Sequence, residues 1–124
     1  MATVTSRDLA EQARRANYEV MSIEQQRANR WVLTLRSGGL VTIVLAQSRQ
    51  LLSGADVQDL AELVRLRGPA QGILLALDGT FSPIAQQTLD ELRALPLRFA
   101  TKTLLAPSAE HEPRPLGVPL TRTP

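Results

Sequence analysis

Alternating apolar and polar positions in the middle of the chain predict a β-hairpin. Apolar residues recur at every second position over 31–36, which is the period of a half-buried strand. Gly38-Gly39 supplies a turn, and the segment 40–46 is again apolar and β-branched. A shorter alternation over 18–23 predicts one more strand ahead of the hairpin.

Capping signals mark the starts of three helices. Thr5 and Asp8 have the spacing of a capping box ahead of a helix over residues 6–16, with Asn17 as a left-handed terminator. A second capping box, Ser53 with Asp56, opens a helix that Gly68-Pro69 ends. The pair Ser82-Pro83 opens a third helix that runs to about residue 94.

A continuous apolar run over 73–77 is typical of a central strand buried on both faces, and 97–101 predicts a last strand. The predicted order is αβββαβαβ, an α/β fold with a mixed sheet of about five strands and helices on both faces. Residues 1–104 form one domain in this interpretation. Residues 105–124 hold five prolines and predict a flexible tail, in which the only histidine, His111, is a solvated side chain.

Composition narrows the possible functions. The chain has no cysteine, which excludes disulfides and thiolate chemistry, and only four aromatic residues, which argues against base stacking on exposed rings. No apolar run is long enough to span a membrane, so we expect a cytoplasmic protein with no membrane partner. The net charge is only +2, and nearly all positive charge is arginine, as a GC-rich genome alone could produce.

Two stretches resemble the Mrr-like restriction endonucleases of the PD-(D/E)xK nuclease superfamily. VTIVLAQSRQLLSGADVQDLAELVRLRG places a polar cluster after a strand and ahead of a helix, and GILLALDGTFSPIAQQTLDEL carries the pattern Phe81-Ser82-Pro83 with Ala85. The resemblance covers roughly residues 6–101. It implies a bacterial protein with a restriction endonuclease-like three-layer fold.

The catalytic residues of that superfamily are missing. The resemblance requires an aspartate on the second strand, and Asp, Glu or Gln two residues before a lysine on the third, to hold a divalent cation and orient water. Trp31-Val32-Leu33 occupies the second strand instead, and Gln47 with Arg49 stands for Gln-x-Lys. Since no Asp or Glu occurs between Gln25 and Ala55, we expect no catalytic residue, metal site or cofactor in the hairpin.

Arginines gather in this acid-free region, and their charge suits a phosphate backbone. Whether they contact DNA or are merely solvated stays open at this point. The candidate nucleic-acid-binding residues are Arg14, Arg15, Arg27, Arg30, Arg36, Gln47 and Arg49.

The sequence leaves three hypotheses. The first is a catalytically inactive nuclease-like domain that binds nucleic acid, most simply DNA, through a basic hairpin face. The second is a protein-protein interaction or homodimerisation module, with Trp31 at the interface or filling the vanished cleft. The third is a metal-dependent DNA nuclease with a migrated or partner-completed site.

Overall fold

The computed structural model describes residues 4–68 and 70–102. In chain order, its elements are α1 (Ser6–Arg15), β1 (Glu19–Arg27), β2 (Arg30–Ser37), β3 (Leu40–Gln47), β4 (Leu51–Leu52), α2 (Gly54–Arg67), β5 (Ala70–Ala76), β6 (Thr80–Phe81), α3 (Pro83–Glu91) and β7 (Leu97–Thr101).

Five strands form one mixed sheet in the order β1-β2-β3-β5-β7. β1, β2 and β3 pair antiparallel, while β5 lies parallel to both β3 and β7. The connections through α2 and α3 carry the chain back so that the parallel strands start at the same end. The predicted α/β fold with a mixed five-stranded sheet is confirmed, and the element order is compatible with the predicted one.

The two faces of the sheet carry separate apolar cores. One core lies under α1 and includes Leu9, Ala13 and the odd-numbered residues of β2 from Trp31 to Leu35. The other lies under α2 and α3, where Leu60 and Val64 pack on the opposite face. Because strand side chains alternate between faces, the even-numbered residues of β2 point to the α2 side.

The helix starts follow the predicted caps. Thr5 Oγ1 accepts a hydrogen bond from the Asp8 backbone N–H at 3.2 Å, and the Thr5 N–H donates to the Asp8 carboxylate at 3.0 Å. Ser82 Oγ accepts from the Ala85 N–H at 3.0 Å. Asn17 has a φ of 72°, so its predicted role as a left-handed terminator is confirmed.

Several boundaries differ from the sequence prediction. β1 continues to Arg27, because pairing with β2 extends it through polar residues that show no alternation. α3 ends at Glu91, short of residue 94. The strands β4 and β6, two residues each, form a separate parallel ribbon that was not predicted. The predicted tail and His111 lie outside the described residues. None of the described helices is long and apolar enough to cross a membrane.

Gly79 is required where the loop after β5 crosses the loop after β3. A Cβ atom at this position would lie 2.0 Å from the carbonyl oxygen of Arg49 and 2.5 Å from that of Gln50. The neighbouring Thr80 N–H donates to the Gln50 carbonyl at 3.0 Å. Glycine therefore lets the two loops touch and fixes the backbone that carries Arg49.

Candidate functional site

The end of the sheet at which β3 and β5 finish, here called the carboxyl edge, gathers most of the polar side chains considered for function. β2 starts there, and Arg30 on β2 lies directly opposite Gln47 on β3. The first turn of α2 covers this edge, since the parallel crossover must begin where β3 ends. Ligand sites in open α/β sheets favour this end of the strands.

Gln47 and Asp56 form a buried polar pair at the carboxyl edge. Gln47 is 1% exposed and Asp56 is 3% exposed. The Gln47 side-chain Nε2 donates to Asp56 Oδ1 at 2.5 Å. Asp56 Oδ2 accepts from the Ser53 backbone N–H at 2.7 Å and lies 3.7 Å from Arg49 Nη1. Both carboxylate oxygens are therefore engaged by this chain.

The surroundings of Asp56 keep it ionised. Burial raises the pKa of this carboxyl, but hydrogen bonds from the Ser53 backbone, the Gln47 amide and the Ser53 hydroxyl, with the nearby charge of Arg49, outweigh that effect. The net result is a pKa below the ordinary value of 3.8. The carboxylate thus stays negative as a structural anion.

Arg30 makes the second link between the sheet and α2. Its Nη2 donates to Asp59 Oδ2 at 2.8 Å, and the residue is only 9% exposed. The Nε atom of Arg30 is buried without a hydrogen-bond partner among the described residues. A shallow groove of about 310 Å³ opens beside it, lined by Gln26, Arg27, Arg30, Asp59, Glu62 and Leu63.

Asp56 and Asp59 at the carboxyl edge do not suit a divalent cation. Such an ion needs several oxygen ligands with free lone pairs on one side. Asp56 is bound by Gln47 and Ser53, and Asp59 is bound by Arg30. Within residues 4–68 and 70–102, no group of three or more acidic or histidine side chains is placed to hold a metal ion. Arg30, a cation, occupies the place opposite Gln47 on the second strand.

The structure divides the candidate nucleic-acid-binding residues between two ends of the sheet. Arg27, Arg30, Gln47 and Arg49 belong to the carboxyl edge. Arg36 lies at the other end of β2, about 20 Å from Arg30, as the rise per residue of a strand gives for six residues. It forms a two-pronged ion pair with Glu19. Arg14 and Arg15 are exposed in the last turn of α1, which leads into the start of β1 and so belongs to that far end.

These candidates also differ in how accessible they are. Arg27 is exposed and has no ion pair within the described residues, and the Arg49 side chain is half exposed. Gln47 and Arg30 are buried and bonded to α2. Of the predicted candidates at the carboxyl edge, Arg27 and Arg49 are therefore the two that a ligand could reach.

Trp31 does not lie on a surface. It is 1% exposed and packs in the core under α1. The predicted position at an interface or in the vanished cleft needs correction, because Trp31 follows Arg30 on β2 and so points to the face opposite α2. Its indole Nε1 is buried without a hydrogen-bond partner in the described part of the chain.

The sequence interpretation missed the acids that complete the carboxyl edge. Asp56 was predicted only as part of a helix cap and Asp59 was given no role, whereas they accept hydrogen bonds from Gln47 and Arg30. Asp78 was also missed, and its carboxylate accepts from the Ser48 hydroxyl at 2.8 Å. The capping box at Ser53 was the one signal that could have directed attention to Asp56.

No family model and no curated protein matches this chain. Among solved structures, the apo form of EndoMS matches with a TM-score of 0.58 and 17% identity over 86% of this chain. This chain spans about half of the EndoMS chain, 49% of its length. The MspJI restriction endonuclease in complex with a 27-mer oligonucleotide matches with a TM-score of 0.46 and 20% identity, over 78% of this chain and 24% of its own.

The likeness to EndoMS shows that the chain has a restriction endonuclease-like α/β fold. At this level of identity it speaks to the fold alone. The finer assignment to the Mrr-like family stays a prediction.

Proposed function

We propose that this chain is a nuclease-like domain that binds nucleic acid, most simply DNA, without cutting it. The observation that carries the proposal is Arg30, which stands opposite Gln47 on the second strand and binds Asp59. A cation at this place repels a divalent metal ion and holds one of the acids that could have bound it. In this proposal the domain has a nuclease-like fold, and the polar side chains of its carboxyl edge stabilise the fold of the domain itself.

Two side chains at the carboxyl edge support binding. Arg27 is exposed without an ion pair among the described residues, and Arg49 is half exposed with only a long contact to Asp56. Guanidinium groups of this kind neutralise phosphates and leave base edges unread. The proposed binding is therefore sensitive to salt and largely indifferent to sequence. Arg30 and Gln47 contribute by holding the edge together.

A binding titration tests the first half of the proposal. The purified chain is titrated against duplex, single-stranded and branched DNA over a series of salt concentrations. We expect binding that weakens steeply with salt, with a log-log slope of about −0.9 for each phosphate contact on duplex DNA. Absence of binding at low salt to all three substrates would reject a nucleic-acid function.

A cleavage assay tests the second half. Plasmid DNA is incubated with the chain and Mg²⁺ or Mn²⁺, and we expect it to stay intact. Cleavage that persists through independent purifications and is lost in Asp78→Asn would show a migrated metal site instead. Asp78 is the matched choice, since its exposed carboxylate lies next to the carboxyl edge and its loss leaves Asp56 and Asp59 in place.

A further inference from the structure

β1 forms one edge of the sheet, and its outer side pairs with no other strand of the described residues. It is nine residues long and mostly exposed. A strand edge of this kind offers a row of backbone donors and acceptors to another strand. The side chains and charges of β1 decide which strand fits this edge.

Four side chains of β1 point to the α2 side of the sheet. Their spacing along the strand is the same whether it is counted from the first residue or from the last. Glu19, Ser22, Glu24 and Arg27 pair with the even-numbered residues of β2, so all four point to one face. The steps between them are three, two and three residues, and each three-residue step holds one of the two irregularities of β1. Ile23 is the midpoint of β1 between these four residues, and its own side chain points to the opposite face, beside the α1 core.

We propose that the edge of β1 is a dimer interface, at which a second copy of this chain pairs antiparallel about Ile23 and extends the sheet to ten strands. Two-fold pairing about this residue sets each Glu19 against the partner's Arg27 and each Ser22 against the partner's Glu24. It also sets the irregular steps of one strand against those of the other. The interface shares Arg27 with the proposed nucleic-acid surface, so dimerisation is measured in the absence of nucleic acid and either proposal can fail without the other.

The charges on the edge favour this partner. Arg27 is exposed and lacks an ion pair within residues 4–68 and 70–102, while the Glu19 side chain is 62% exposed even though Arg36 holds it from the β2 side. The two-fold pairing gives Arg27 a carboxylate at both ends of the interface and opposes no two like charges directly. Ile23, half-buried beside the α1 core, meets its own copy at the centre.

Charge reversal tests the interface. Arg27→Glu is made in one chain, and Glu19→Arg with Arg36→Glu in another, which keeps the pair between β1 and β2 in reversed order. The oligomeric state is measured by sedimentation equilibrium. We expect a wild-type dimer, and in each variant a dissociation constant raised about tenfold or more, since two attractive contacts become repulsive.

An equimolar mixture of the two variants gives the decisive result. In the mixed dimer, both contact points again pair one carboxylate with one guanidinium, so we expect dimerisation to recover. Arg93→Glu, the same charge change at an exposed site after α3, should leave the wild-type dimer intact. Thermal unfolding of each variant confirms that the fold is kept.

Three outcomes would overturn the interface: a wild-type chain that is monomeric throughout the concentration range, a dimer that ignores both reversals, or variants that fail to recover on mixing.

Discussion

The side-chain amide of Gln47 donates a 2.5 Å hydrogen bond to Oδ1 of Asp56, which joins the last residue of β3 to the first turn of α2. Both residues are buried, so neither can exchange its partner for water. This contact and the ion pair of Arg30 with Asp59 build the carboxyl edge from within the chain.

Gln47→Leu should destabilise the fold. The substitution leaves Asp56 Oδ1 buried without its donor, which costs about 1–3 kcal/mol of unfolding free energy. Gln86→Leu is the matched control, because Gln86 also donates to an aspartate, Asp90, but on an exposed helix surface. We expect the control to change stability by less than about 0.5 kcal/mol in urea titrations. Equal losses in both would contradict a special role for the buried pair.

Asp56 should make stability depend on pH in acid. Its folded pKa is below the ordinary value of 3.8, so near that value the unfolded chain binds more protons than the folded one. The contribution of Asp56 is complete above 3.8 and is lost as the pH falls through the lower, folded pKa. Urea unfolding is carried out across this pH range for the wild type and for Asp56→Asn. The difference between their unfolding free energies measures the contribution of Asp56. A constant difference at all pH values would show that Asp56 titrates alike in both states.

Substitutions of Arg30 should separate charge from packing. Arg30→Met keeps an apolar stem, and Asp59 is half exposed and can be solvated, so we expect a change within about 1 kcal/mol. Arg30→Glu places a second carboxylate beside Asp59 in a buried position, which costs about 3 kcal/mol. Chemical denaturation measures both. If Arg30→Glu is tolerated as well as Arg30→Met, the side chain must be able to leave the edge for solvent.

Gly79→Ala should disturb the loop that carries Arg49. The new methyl group would meet the Arg49 carbonyl at 2.0 Å, so the backbone must move, at a cost of about 1–3 kcal/mol. Gly39→Ala in the β2–β3 turn meets nothing within 4 Å and should be nearly neutral. Thermal unfolding of the two variants tests this difference. A neutral Gly79→Ala would mean that the loops are free to separate.

The two ends of the sheet should differ in nucleic-acid binding. Under the proposed function, Arg27→Gln removes one phosphate contact and lowers the magnitude of the salt slope by about 0.9. Arg36→Gln should leave the slope unchanged, because Arg36 is bound to Glu19 at the far end of β2. Fluorescence anisotropy over a salt series measures both slopes. An equal loss in Arg36→Gln would place the binding surface along the whole hairpin.

Local patterns predicted most of the fold because local physics decides it. The caps at Thr5 and Ser82 and the alternation along β2 each depend on residues within a few positions, and the structure has all of them. The strand β1 was predicted too short because residues after Ile23 are polar on both sides. Only the partner strand β2 makes them a strand.

The candidate site was less predictable because it depends on how α2 meets the sheet. The capping pattern gave the place of Asp56 within the helix, but not the approach of that helix to Gln47. Arg30 was interpreted as an exposed phosphate ligand, since nothing in the sequence shows that α2 covers the start of β2. Trp31 was placed on the right strand, whose alternation then sends it under α1.

One carboxylate serves two elements at once. Asp56 accepts the Ser53 N–H that starts α2 and the Gln47 amide that ends β3. The helix therefore cannot fray from its first turn without also releasing the strand, and the two should open as a single cooperative unit in native-state hydrogen exchange. At an isolated helix end, the amide proton of Ser53 would exchange quickly with solvent. Here we expect it to exchange only as slowly as the sheet opens.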